Sequence, residues 1–356
     1  MLPPARPQPG APIGAAPEAV RTWFDSTLKA TPPAADGSLT AARDAARAYA
    51  LQAKADNTRR AYRAAVRSWC LWCDAHGLTP LPASGLDVAA FLADERGRRL
   101  SPATLDLRRA AIRHLHRLAG CAVPTEDACV AGVLAGIRRE AAGQGEQPRK
   151  KKAATAPVLR RLLAPIPDDL RGLRDKALLL VGFAGALRRS ELAGIMLNDL
   201  EATERGLRLT LAQTKGSQTA AVTVPLPYGD TELCPVRAVE RWLAASEVTR
   251  GPVFRRIWLP ATAKGDVCPG KPRLGCSALT PRSVALIVQA RAVAAGFARS
   301  DLGGHSLKRG ALTTGMEQGT HPAKLKRLGR HKSFDVLGEY LEHGDLFDGH
   351  PLGGVL

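Results

Sequence analysis

GHSLKRG at residues 304–310, LGRHKS at residues 328–333 and a tyrosine at position 340 lie close together near the end of the chain. From His305 to Lys332, seven Lys or Arg residues stand against one acid, Glu317. Apolar spacing reads as short helices over 306–318, 321–329 and 333–343. His305, Lys308 and Arg309 then begin a helix, where side chains and unpaired N–H groups together can face an anion. A lone His or Tyr in a helical domain is ordinarily structural. With only four tyrosines in the chain, however, Tyr340 is less easily a chance placement.

Working back from this block, the second half reads as mixed. Helical spacing covers roughly 156–164, 172–186, 189–197, 234–247 and 280–296. One passage alternates instead: Leu207, Leu209 and Leu211 are interleaved with Arg208 and Thr210, and Ala220, Val222 and Val224 follow the turn residues Gly216-Ser217. That pattern predicts a small antiparallel hairpin. Lys215 would sit at its tip. A tip lysine is commonly just solvated; the functional alternative is a mobile cation reaching into a groove. Upstream, GALRRSEL (185–192) closes an apolar run of 11 residues, Ala177 to Leu187. Arg188 there would project from a buried base, with Glu191 able to hold it at i,i+3 spacing. By itself such a pair is usually a solvated one.

The first half reads as all-helical. Helices are expected over 41–53 and 57–76, from Pro102 through the inward residues Leu107, Ala111, Leu115 and Leu118, and over 125–142, with Thr40, Asn57-Thr58 and Ser101 as N-cap types. Arg59, Arg63 and Arg67 recur at spacing four on one helix, as do Arg109, Arg113 and Arg117 on another. These two faces are the expected DNA-binding surfaces, with Arg309 and Arg330 in the second half. Residues 1–38 hold eight prolines and no helical period, which predicts a flexible tail. Four segments result: a tail over 1–38, a helical domain with arginine-lined faces over 39–142, a basic linker over 143–152 (it contains RKKK at 149–152), and a mixed domain over 153–356.

The 356 residues carry 51 Lys or Arg and 33 Asp or Glu, a formal charge of +18. That excess suits a polyanion better than a small-molecule substrate, and nucleic acid before a membrane surface. An 11-residue apolar run cannot cross a bilayer, which takes about 20 residues. No secretory signal is visible, and the odd, scattered cysteines fit reduced thiols in cytoplasm. Cys70-x-x-Cys73 has no second pair at metal spacing and reads as core.

Taken in order, GALRRSEL, the hairpin TKG, GHSLKRG, and RHKS with a tyrosine nine positions after its histidine resemble the tyrosine recombinase (phage integrase) family. NTRRAYRAAVRSWCLWCDAHGLTPLPAS and LAGCAVPTEDACVAGVLAGIRR resemble the family's core-binding domain, in particular the Cre-like one. The likeness spans roughly residues 40–345. It implies a mainly α fold: a SAM-like helical N-terminal domain, then a mostly helical catalytic domain with a small antiparallel sheet. It implies site-specific recombination of double-stranded DNA at inverted-repeat sites through a 3′-phosphotyrosine, by a homotetramer on two DNA sites, in the cytoplasm at the bacterial nucleoid. No cofactor, metal or membrane is called for.

Residue by residue, the family pattern makes Tyr340 the nucleophile, Arg188 the first arginine, Glu191 its supporting acid, Lys215 the hairpin lysine, and His305 and His331 the two histidines. Lys308 stands where the family has its second arginine. Arg330 stands where it has a glycine. Two rival readings follow from these departures and from shared chemistry: a recombinase-like DNA-binding protein with impaired cleavage, and a relaxing enzyme of the type IB topoisomerase kind.

Overall fold

The structure is a computed structural model that describes residues 10–29, 31–34, 36–146, 151–212, 221–258, 272–331, 333, 334 and 338. The chain divides into two compact units, Met1–Pro148 and Arg149–Leu356.

The first unit is helical: α1 (Pro17–Thr27), α2 (Leu39–Gln52), α3 (Asp56–Ala75), α4 (Gly85–Gly97), α5 (Pro102–Ala119) and α6 (Ala128–Gly143). Ser38, Ser84 and Ser101 cap α2, α4 and α5 by accepting the N–H three residues on. Gly120 closes α5 in the left-handed region that a residue without Cβ adopts freely. Trp69 and Trp72 of α3 stack at 5.7 Å, and Phe91 of α4 meets Trp69 edge-on at 5.2 Å. The Trp69 indole, wholly buried, donates to Pro80 O at 3.0 Å. On α5 the inward residues are Leu105, Ile112 and Leu115, whereas Leu107 is exposed.

Two expectations are corrected here, and one helix is added. The segment expected to be a flexible tail contains α1, because Val20, Phe24 and Leu28 recur at spacing four and are buried in this core. Proline-rich flanks hid that short stripe. Helix α4 was also not anticipated; Val88, Phe91 and Leu92 fill the centre of the unit from it. The basic linker is shorter than 143–152. At one end Glu146 N–H still bonds Ala141 O, and at the other Lys152 N–H bonds Asp301 O of the second unit at 2.8 Å.

The second unit comprises α7 (Ala156–Leu163), α8 (Leu170–Ala184), α9 (Arg189–Ala193), β1 (Leu200–Thr203), β2 (Gly206–Leu211), β3 (Val222–Pro227), α10 (Pro235–Ser246), β4 (Arg255–Trp258), β5 (Arg273–Ala278), α11 (Pro281–Ala294), α12 (Ser306–Glu317) and α13 (Pro322–Gly329). The second half of helix α8 is apolar around its circumference: Leu178, Leu179, Leu180 and Val181 are all buried. Such a helix belongs inside a domain, and α10, α12 and α9 cover it. The expected hairpin is β2–β3, with Leu211 opposite Val222 and Leu209 opposite Val224. A third strand, β1, lies along β2, and β4–β5 form a separate two-stranded sheet that the sequence pattern did not suggest. The hairpin turn, with Gly216 and Ser217, falls outside the described residues.

Gly310 sits where α12 crosses the incoming chain. A Cβ there would lie 1.9 Å from Ala154 O, so only glycine allows the approach. Ala154 N–H bonds Ser306 O at 2.9 Å, and Ala156 N–H bonds the Thr314 hydroxyl at 3.0 Å.

Since α1 supplies core side chains, Phe24→Ala should destabilise the protein by about 3–5 kcal/mol. Urea denaturation followed by tryptophan fluorescence checks this. An unchanged midpoint would mean that α1 is not docked in solution.

Candidate active site

Two helix ends build the site. Helix α8 ends in a Schellman turn: Leu187 N–H bonds Gly182 O, and Ala186, at φ +44°, takes the left-handed position. Arg188 follows at once as the N-cap of α9. Helix α13 ends the same way: His331 N–H bonds Lys326 O at 3.1 Å, and Arg330, at φ +54°, takes the left-handed position. A β-carbon in that region costs roughly 1–2 kcal/mol, so a glycine would sit there more easily.

Glu191 joins the two ends. Its Oε2 accepts the Arg188 backbone N–H at 2.8 Å, and its Oε1 accepts the Arg188 guanidinium at 2.7 Å. The same Oε2 accepts Arg330 Nη2 at 2.9 Å. The carboxylate is 3% exposed. Burial pushes the Glu191 carboxyl up, but Arg330 and Arg188 outweigh it and hold the group below the usual glutamate range. Arg330 also donates to Gly185 O at 3.0 Å, Ala186 O at 2.7 Å and Leu328 O at 2.9 Å. Its guanidinium therefore serves the free carbonyls of both helix ends.

Lys308 enters from the first turn of α12. Its ammonium, 3% exposed by residue, donates to Gly329 O. Burial lowers its pKa to about 7, with Arg188 and Arg330 adding to the shift and Glu191 opposing it. His331 is brought to about 4 by burial and then by Lys308, Arg188 and Arg330. Near neutral pH its imidazole is uncharged and keeps a single N–H to donate. Gly329 makes room for it: a Cβ there would lie 2.8 Å from the His331 ring. Arg188 keeps an exposed portion, 18% of its side chain. The result is a half-buried cluster of basic side chains held by one carboxylate, a setting that favours an anion with several oxygens.

Of the residues expected at the site, Arg188, Glu191, Lys308 and His331 converge. His305 is the exposed N-cap residue of α12, one helical turn before Lys308. Lys215 and Tyr340 lie outside the described residues. Arg330 requires a correction. It was expected to face DNA, but its side chain is 7% exposed and committed to Glu191 and the helix ends. Sequence gave one signal of this: an arginine directly after Gly329, where a helix must stop. Arg309, also expected to face DNA, is half-buried and donates to Lys151 O.

On the first unit, Arg59 pairs with Asp56. Arg113 and Arg117 share Glu126 at 2.6 and 3.2 Å, and Arg109 is 3.6 Å from Asp106. Arg67 is exposed and Arg63 half-buried. Exposed pairs of this kind are weak and exchange easily for phosphate.

Residues 153–345 match the phage integrase family, and residues 48–120 match the phage integrase N-terminal SAM-like domain. The chain belongs to the phage integrase family. These are the tyrosine site-specific recombinases, a class of DNA breaking–rejoining enzymes. The family member is 35% identical over 308 residues to the integrase/recombinase xerD homolog of Selenomonas ruminantium, covering 85% of this chain and 86% of that one. It is 26% identical over 308 residues to the recombinase cre of Escherichia phage P1, covering 83% and 86%. In fold it is similar to the XerH recombinase in a post-cleavage complex with palindromic difH, at a TM-score of 0.59 and 14% identity over 98% of each chain. It is likewise similar to the Tn1549 transposon integrase with transposon right-end DNA, at a TM-score of 0.56 and 16% identity over 86% and 96%. Among the described residues, no helix is long and apolar enough to cross a membrane.

Lys308 carries a pH signature. The unfolded chain holds its proton to about 10.5, whereas the folded protein releases it at about 7. Between those values the unfolded state binds more protons, so stability should rise with pH by up to about 1.4 kcal/mol per unit. Lys308→Met should flatten that rise relative to wild type, as measured by urea unfolding at pH 7 and pH 9.

Proposed function

We propose that this chain is a working recombinase that cuts one DNA strand with Tyr340 and holds the cut end as a 3′-phosphotyrosine. What supports the reading most is the convergence of Arg188, Lys308 and His331 around the buried carboxylate of Glu191, at the position where the family pattern needs a phosphate clamp.

The Tyr340 oxygen attacks phosphorus, the bond from phosphorus to the 5′ oxygen breaks, and the ester bond to tyrosine replaces it. His305 takes the proton that Tyr340 loses, and Lys215 supplies the proton that the 5′ oxygen gains. The free 5′ hydroxyl of a second strand reverses the step without ATP, because one phosphoester has been exchanged for another. Arg188 binds non-bridging oxygens through its planar fork. His331, uncharged, donates its N–H to the phosphate. A phosphodiester entering the pocket adds negative charge and draws a proton back onto Lys308.

The substrate is duplex DNA with an inverted-repeat site. Arg59, Arg63, Arg67, Arg109, Arg113 and Arg117 would meet its backbone. Four copies would act on two sites, in the cytoplasm at the nucleoid. Lys308, turned inward onto Gly329 O, favours one second reading: a DNA-binding family member with impaired cleavage.

A nicked duplex carrying the inverted repeat beside the coding sequence tests this. Wild type should trap a covalent protein–DNA complex, and Tyr340→Phe should bind the duplex without trapping it. Binding without an adduct in wild type would select the impaired reading. Lys215→Ala should slow trapping by roughly 10²–10⁴. A substrate with sulfur in place of the leaving 5′ oxygen should recover most of that loss, since sulfur leaves with little protonation. No recovery would make Lys215 a backbone contact.

A further inference from the structure

Charge counting singles out one pair of residues. In the buried cluster, Arg188 and Arg330 face one carboxylate, Glu191, which leaves one uncompensated positive charge. Lys308 stands within reach of all three and bonds the carbonyl next to Arg330. An ammonium can shed its proton when such a site is empty. A guanidinium holds its proton throughout the range in which proteins are handled. An arginine at 308 beside Arg330 would fix a second uncompensated charge in a pocket with little water.

Arg330 has its own cost, because it carries a side chain in a left-handed turn where glycine is easier. Against that cost stand its bonds to Glu191, Gly185 O, Ala186 O and Leu328 O. Gly185 and Ala186 form the turn that delivers Arg188.

We propose that Arg330 is a positioning residue for Arg188, and that Lys308 and Arg330 form a compensating pair in which the fixed charge of the guanidinium at 330 is carried beside a lysine, and not beside a second guanidinium, at 308. Arg330 locks the end of α8 and the Glu191 carboxylate from the far side. Arg188 is left with its fork fixed and partly open. Lys308 supplies charge on demand beneath it.

The pair makes an asymmetric demand. Lys308→Arg, which restores the residue type of the family's second arginine, should harm the protein while Arg330 is present. Arg330→Gly should loosen the turn that presents Arg188. Together the two changes return the cluster to two guanidiniums and one carboxylate.

The test compares full-length wild type, Lys308→Arg, Arg330→Gly and the double variant. It rests on the recombinase reading only in its second arm. In the first arm, lysine side-chain NMR follows the titration of Lys308 without DNA. The groups facing it are Arg188, Arg330, Glu191 and His331. Arg330→Gly should move that titration from about 7 upward by roughly one unit, since a like charge is removed. An unmoved titration overturns the pair. In the second arm, each single change should slow adduct formation on the nicked duplex by about tenfold or more, with duplex affinity within about twofold of wild type. The double variant should then exceed the product of the two single effects by about tenfold. Independent single effects overturn the compensation, and equal loss of affinity and rate overturns positioning. If wild type forms no adduct, the recombinase reading fails while the NMR arm still decides the pair.

Discussion

One buried carboxylate organises the second unit's site. Glu191 accepts a backbone N–H and a guanidinium from Arg188 and a second guanidinium from Arg330. Removing it would leave two arginines facing each other in a pocket from which water is largely excluded, and breaking a buried ion pair in this way is among the costlier single changes. The lowered pKa values of Lys308 and His331 follow from the same arrangement. Burial acts on each, and the cations gathered around Glu191 add to it. The site's charge is therefore a property of the cluster and not of its members.

The scaffold positions this cluster through helix ends. Two Schellman turns meet, one from α8 and one from α13, and Arg330 closes the carbonyls of both. Helix α8 can act as a base because its second half is buried among α9, α10 and α12. The cluster is thus built on a buried helix end, which suits side chains that must hold one geometry.

Much of this was legible in the sequence. The alternation of Leu207, Leu209 and Leu211 marked a strand because its period is two, and these residues do face the core while Arg208 and Thr210 are exposed. Arg188 and Glu191 were readable as a pair because i,i+3 spacing brings side chains together on a helix. Arg330 was misread, since its direction depends on a left-handed turn that no periodic pattern encodes. Strands β4 and β5 escaped for a related reason. Gly275 packs against the Trp258 ring, where a Cβ would lie 2.8 Å away, so the ring lies over a residue with no side chain to advertise it. Helix α1 was hidden by composition, its three buried residues being few among many prolines and alanines.

The close crossing at Gly310 has a mechanical meaning. The chain arriving in the second unit is fastened at Lys151, Lys152, Ala154 and Ala156 to the 300–306 loop and to α12. A load applied to the chain where it enters the second unit is met by these bonds. They attach to the helix that carries His305 and Lys308. Tension and chemistry thus share one anchor, and the glycine that permits that crossing sets how firmly the anchor holds.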